Sequence, residues 1–149
     1  MSASGFLPSE RLQALGISLP APRKPIGNFV GFKRAGDLVF LSGQGPVGPD
    51  GTRFSGKVGR DWSREQAYEH ARLTTINLLA ILNAALGSID KVQEIVKVLG
   101  FVNATPDFGD HPFVINGCSD LLISIFGEER GIHARSALGA GSLPNNITV

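Results

Sequence analysis

From residue 28 onward the apolar positions alternate between a two-residue and a three-to-four-residue period, and each change of period marks an element. Asn28 to Arg34 sets Val30 and Phe32 against Phe29, Gly31 and Lys33. Ala35-Gly36-Asp37 supplies turn chemistry, and Leu38-Val39-Phe40-Leu41-Ser42 continues as an apolar run. A hairpin is predicted, with its second strand buried on both faces. Ser42-Gly43-Gln44-Gly45-Pro46 ends that strand. Residues 47–61 read as a loop with a short edge strand at Thr52–Phe54.

Helical spacing begins at Ser63, where Ser63-Arg64-Glu65-Gln66 is a capping box. The helix is predicted to run to about Leu86 and stop at Gly87. Its apolar stripe is Ala67, Ala71, Thr75, Leu78, Leu82 and Ala85; His70 falls beside it as a surface or boundary residue, and Asn77 is assigned to local backbone or a neighbour. Val92 to Ala104 reads as the longest strand, mostly apolar on both faces. Two good helices cover only one face of a sheet, so the other is a candidate subunit interface. A second helix is predicted from His111 or Pro112 to Phe126, with Pro112 in the first turn and Val114, Cys118, Leu121, Leu122 and Ile125 as its stripe. Gly117 inside it marks close packing on the sheet. Gly127 to Gly131 reads as an exposed charged loop, and Ala134 onward as a buried strand. After a turn at Ser142–Asn146, Ile147-Thr148-Val149 begins another strand.

The first 25 residues form a loosely organised arm. Ser9–Leu15 is a short helix with Ser9 as N-cap and Gly16 as stop, and Leu19 to Pro25 is a proline-rich connector. The element order is β-β-α-β-α-β-β, an α+β layout with two helices on one side of a mixed sheet, in one domain over residues 26–149.

Composition narrows the function. The chain has 149 residues and a net charge of +1, with no basic footprint for nucleic acid. One cysteine, Cys118, excludes an intrachain disulfide, and its place on a helix stripe marks it as an inert thiol rather than a nucleophile. His70, His111 and His133 lack ligand spacing, so no metal is expected. No apolar run is long enough to span a membrane and no secretion signal is evident, which makes the cytoplasm the expected location.

Arg135 stands out. It sits where a charged turn, Arg130-Gly131-Ile132-His133, runs into small and apolar residues. A guanidinium stays charged there and needs an anionic or hydrogen-bonding partner. Two readings stand side by side: a structural arginine paired with a nearby Asp or Glu, or a planar fork that holds a ligand carboxylate.

Ile26-Gly27-Asn28-Phe29-Val30, Leu38–Gln44 with its Ser-Gly-Gln, Gln66, Val96–Val102, Ile115-Asn116-Gly117, and Ala134-Arg135-Ser136 followed by Leu143-Pro144 form an ordered set. In these residues the chain resembles the RidA (YjgF-type) reactive-intermediate deaminases, formerly labelled endoribonuclease L-PSP. The resemblance covers about residues 26–149. It implies a chorismate-mutase-like fold, a homotrimeric, barrel-like assembly with pockets at subunit interfaces, and cofactor-free hydrolysis of enamine or imine carboxylates to 2-keto acids and ammonia. It places the carboxylate-gripping role on Arg135, and other pocket positions on Phe29, Ser42, Gly43, Asn116 and the Ala137 backbone. Phe29 replaces a tyrosine of typical members, and a glutamate of the archetype falls one position beyond Val149. These departures suggest a divergent subgroup, and leave a non-catalytic small-carboxylate sensor as the rival to a deaminase.

Overall fold

The computed structural model describes residues 5–149; residues 1–4 of the arm lie outside the described residues. In order, the elements are α1 (Pro8–Ala14), β1 (Phe32–Ala35), β2 (Leu38–Leu41), α2 (Arg64–Leu86), β3 (Lys97–Asn103), α3 (His111–Gly131) and β4 (Ala134–Ala140). The α+β class stands, built on the long helices α2 and α3.

Helix α2 follows its sequence signals closely. Ser63 Oγ accepts from the Gln66 amide at 3.1 Å while Gln66 Oε1 accepts from the Ser63 amide at 2.9 Å. Gly87 closes the helix at φ +80°, a backbone shape that costs glycine little. Pro112 lies in the first turn of α3, and Val114, Cys118, Leu121, Leu122 and Ile125 are all buried, as the stripe requires.

The sheet differs from the single mixed sheet of the prediction. β1 and β2 form an antiparallel hairpin through Gly36-Asp37, and β3 and β4 form a separate parallel ladder with Val98 opposite Arg135. Each ladder leans on its own helix. A Cβ at Gly31 would lie 3.3 Å from Ile81 of α2, and one at Gly100 would lie 2.6 Å from Ile115 of α3. β2 is not buried on both faces. Val39 and Leu41 pack inward, whereas Leu38 and Phe40 are 50% and 59% exposed, because α2 covers only one side. β3 shows the two-faced pattern: Val98 and Val102 pack inward, while Leu99 and Phe101 are exposed. Its strand starts at Lys97 rather than Val92, since Ile89–Lys91 makes a 3₁₀ turn and the Ile95 amide donates to Arg130 O.

Five further expectations change. The strand expected from Ile147 does not form: Pro144–Asn146 makes a 3₁₀ turn and Ile147 makes a single bridge to Ser55. The arm helix starts at Pro8, not after a Ser9 cap, and it is docked: the Ser9 amide and hydroxyl both donate to Asp90, at 2.8 and 2.7 Å, and Leu12 is buried. These bonds hold the Asp90 carboxyl below its usual range. Thr52–Phe54 is no strand; Arg53 makes a single bridge to Val47. Gly117 packs on α2, not on the sheet, for a Cβ there would sit 2.0 Å from Tyr68 O. Gly127, at φ +80°, breaks α3, and Glu128–Gly131 resumes a helical turn in place of an open loop.

His70 is the largest departure. It is buried rather than at the surface, 4.5 Å centroid to centroid from Phe54 and 4.6 Å from Trp62, with Nδ1 2.9 Å from Thr148 Oγ1. Burial lowers its pKa from 6.5 to about 4. Asn77 behaves as read, donating to Gly45 O and Val47 O at 3.0 Å each.

Candidate functional site

β4 presents alternate residues to α3. Ser136 and Leu138 face the opposite side, where Lys97 Nζ donates to Ser136 Oγ at 2.8 Å. Arg135 turns to α3, as does Gly139, where an added Cβ would lie 2.6 Å from His111 Nε2. The spacing puts His133 and Ala137 on that same face.

The half-buried Arg135 guanidinium meets neutral groups only. Nη1 donates to Asn116 Oδ1 at 2.7 Å and to Ser119 Oγ at 3.1 Å, and Nη2 donates to Pro112 O at 3.4 Å. Asn116 and Ser119 lie three residues apart on α3, hence on one helix face. Among the described residues no carboxylate pairs with Arg135; the salt bridges join Arg60 to Asp61 and Arg64 to Glu65 and Asp110. Within this chain the described residues supply no acid for the structural reading of Arg135. An arginine carries five N–H donors. These bonds leave Nε–H and one Nη2–H, on adjacent corners of the plane, without a partner among the described residues. Two parallel donors match the two oxygens of a carboxylate.

The sequence-predicted residues fall into two groups. Arg135, Asn116 and Ala137 lie together on β4 and α3. Phe29, Ser42 and Gly43 lie at the hairpin, which packs on α2. The Ser42 amide donates to Gly31 O at 2.9 Å, and its hydroxyl is committed to Val30 O. Gly43 is open, with nothing within 4 Å of an added Cβ, and Phe29 is 55% exposed. No hydrogen bond joins the two groups among the described residues. Two surface clefts lie away from both groups; one, about 390 Å³, is lined by Pro20–Arg23, Gly48, Pro49 and Asn77.

Residue-by-residue reading missed Ser119 and His133. His133 Nε2 lies 2.9 Å from Ser119 Oγ and Nδ1 lies 2.7 Å from Gly131 O. The signal was present: His133 stands two positions before Arg135 on one strand face, and Ser119 three after Asn116 on one helix face. Cys118, next to Ser119, is buried and its thiol pKa is raised by that burial, so it is no nucleophile. Among the described residues no cluster of histidine, cysteine and acidic residues could hold a metal, and no helix is long and apolar enough to cross a membrane.

A family model for YjgF/chorismate-mutase-like proteins matches residues 9–149. The chain belongs to the YjgF/chorismate-mutase-like family. The match begins earlier than residue 26, consistent with an α1 that packs on α3. Within the family the chain is 40% identical to protein TCP17 of Trypanosoma cruzi over 147 residues, 99% of this chain and 91% of the relative. It is 39% identical to the crystal structure of Atu1372 from Agrobacterium tumefaciens, a protein of unknown function, covering 95% of this chain and 86% of that one with a TM-score of 0.85. It is 27% identical to E. coli TdcF with bound serine, over 88% of each chain, at a TM-score of 0.56. By TM-score the chain is closer in shape to Atu1372 than to TdcF.

Proposed function

We propose that the protein is a cofactor-independent hydrolytic deaminase of small imine or enamine carboxylates of the 2-aminoacrylate or 2-imino acid type, giving a 2-keto acid and ammonia. The observation that carries this reading is the surroundings of Arg135: a half-buried guanidinium held by Asn116, Ser119 and Pro112 O, all neutral. A cation so placed favours an anion with planar, two-oxygen geometry. The serine bound by TdcF is itself a small amino-acid carboxylate. In the proposed reaction Arg135 fixes the carboxylate, and backbone groups at Ser42, Gly43 and Ala137 orient the imine and a water. Water adds to the imine carbon to give a carbinolamine, whose C–N bond then breaks to release ammonia and the keto acid. Positioning and a polarised water supply the rate, so no strong base is required.

The separation of the two residue groups supports a site shared between copies. In the proposed homotrimer the exposed faces of Leu99, Phe101 and Leu138, and of Phe32, Leu38 and Phe40, are buried against neighbours, and a neighbour's hairpin completes the pocket at Arg135. Phe29 favours a second reading, a trimeric sensor that binds small carboxylates without turnover, because its ring has no hydroxyl to hold water.

The test is a coupled assay. An amino-acid oxidase generates 2-imino acids from a panel of amino acids, and imine loss is followed with the protein and with Arg135→Ala. Faster decay that disappears in the variant is the expected result. Pyruvate binding with no acceleration on any substrate establishes the sensor, and neither binding nor turnover overturns both.

A further inference from the structure

We infer that Ser119 and His133 form a hydrogen-bond relay that positions the Arg135 fork for its carboxylate, an inference that rests on the deaminase reading above. The direction of each bond follows from what each group can do. Gly131 O only accepts, so His133 Nδ1, 2.7 Å away, carries the proton. In the neutral imidazole Nε2 is then bare and accepts, so the Ser119 hydroxyl donates to it across 2.9 Å. With its proton spent, Ser119 Oγ turns a lone pair to Arg135 Nη1, 3.1 Å away and a donor only. The chain therefore runs one way, from Arg135 through Ser119 and His133 to the main chain at Gly131. Asn116 Oδ1 takes the other Nη1 proton at 2.7 Å.

The relay settles two freedoms that would blur the site. A serine hydroxyl rotates, and with no acceptor it could aim its proton at the guanidinium. A long arginine side chain also carries rotamer entropy that must be lost before two oxygens can be met at once. Ser119 is buried, which limits the competition of solvent for its hydroxyl. The bonds occupy both Nη1 protons and leave the Nε and Nη2 corners for the ligand. His133 touches no substrate in this scheme. It acts through Ser119 and is a positioning residue.

The experiment has two readings on the full chain. The first is ¹⁵N NMR of histidine-labelled protein, with His133→Gln assigning the signal. His133 is expected as the Nδ1-protonated tautomer, and both Ser119→Ala and Arg135→Ala should move its Nε2 resonance. An Nε2 that ignores Arg135→Ala overturns the relay, whether or not the protein turns over imines. The second is kinetics on the imine of alanine, with pyruvate as the binding probe. His133→Phe and Ser119→Ala should raise KM and the pyruvate Kd about tenfold with kcat within twofold, equivalent to roughly 1.4 kcal/mol of binding. His133→Gln keeps an acceptor for Ser119 and should restore most of the affinity. Unchanged KM in His133→Phe beside lost binding in Arg135→Ala overturns the relay alone. Unchanged binding in Arg135→Ala overturns the deaminase reading instead.

Discussion

His70 makes the fold sensitive to mild acid. Its pKa falls from 6.5 to about 4 because the ring is buried between Phe54 and Trp62 and Nδ1 meets only the Thr148 hydroxyl. A histidine depressed in the folded state binds its proton more readily when unfolded. Stability is therefore complete above the unfolded value and drains away as pH falls from about 6.5 toward 4. With those two values, stability at pH 5 lies about 2 kcal/mol below stability at pH 7. Asp50, Asp61, Glu65 and Asp90 have pKa values lowered from 3.8 or 4.5, so their contributions fade mainly below pH 5 and bear little on the comparison with pH 7. Urea unfolding at fixed protein concentration and the two pH values should show a midpoint lower by roughly 1 M at pH 5, taking an m-value near 2 kcal/mol/M. His70→Phe keeps an aromatic ring but strands the Thr148 hydroxyl, which costs about 1–3 kcal/mol at any pH. Its pH 7 and pH 5 midpoints should nearly coincide. An equal acid loss in wild type and variant would refute the reasoning and assign the sensitivity to other groups.

Other perturbations test the packing. Gly117→Ala puts a Cβ 2.0 Å from Tyr68 O, a backbone atom that cannot step aside, and should cost about 3 kcal/mol, seen as a Tm fall of roughly 10 °C. Cys118 should resist an aromatic disulfide reagent in the native protein and react fully in urea, because its thiol is buried with a raised pKa. Ser9→Ala removes one of two donors to Asp90 and should cost about 1 kcal/mol, with faster amide exchange confined to α1.

Local chemistry was legible in the sequence wherever one stretch of chain carried both the signal and its partner. The Ser63–Gln66 box, the Gly87 stop, the Pro112 start and the α3 stripe need nothing beyond their own helix. Gly16 likewise closes α1 at φ +69°. What failed depends on distant partners. His70 looks peripheral until Phe54, Trp62 and Thr148 converge on it. The α1 boundary is set partly by Asp90, far along the chain, and Gly117 is explained only by the Tyr68 backbone across the helix pair. At the site, Arg135 announced itself as a cation among apolar residues, and Asn116 came from the family motif. Ser119 and His133 carry no motif of their own. Their role lies in the direction of hydrogen bonds, which a sequence does not display.

The segment that meets His70 also bears on the order of assembly. Thr148 N donates to Phe54 O, the Asn103 amide donates to Thr148 O, and the Gly56 amide donates to Asn146 O. Residues 54–56 are thus stitched to a C-terminal segment that leaves the ribosome after α2, β3 and α3 have all been made. Such long loop closures come late, because their entropy is lost before the contacts repay it. During synthesis α2 can already be helical on its own caps while the Phe54 and Trp62 side of His70 stands open. The predicted trace is in pulse-labelled hydrogen exchange, where the Gly56 and Thr148 amides gain protection after the interior of α2. Simultaneous protection would mean the C-terminal segment closes with the helices as one unit.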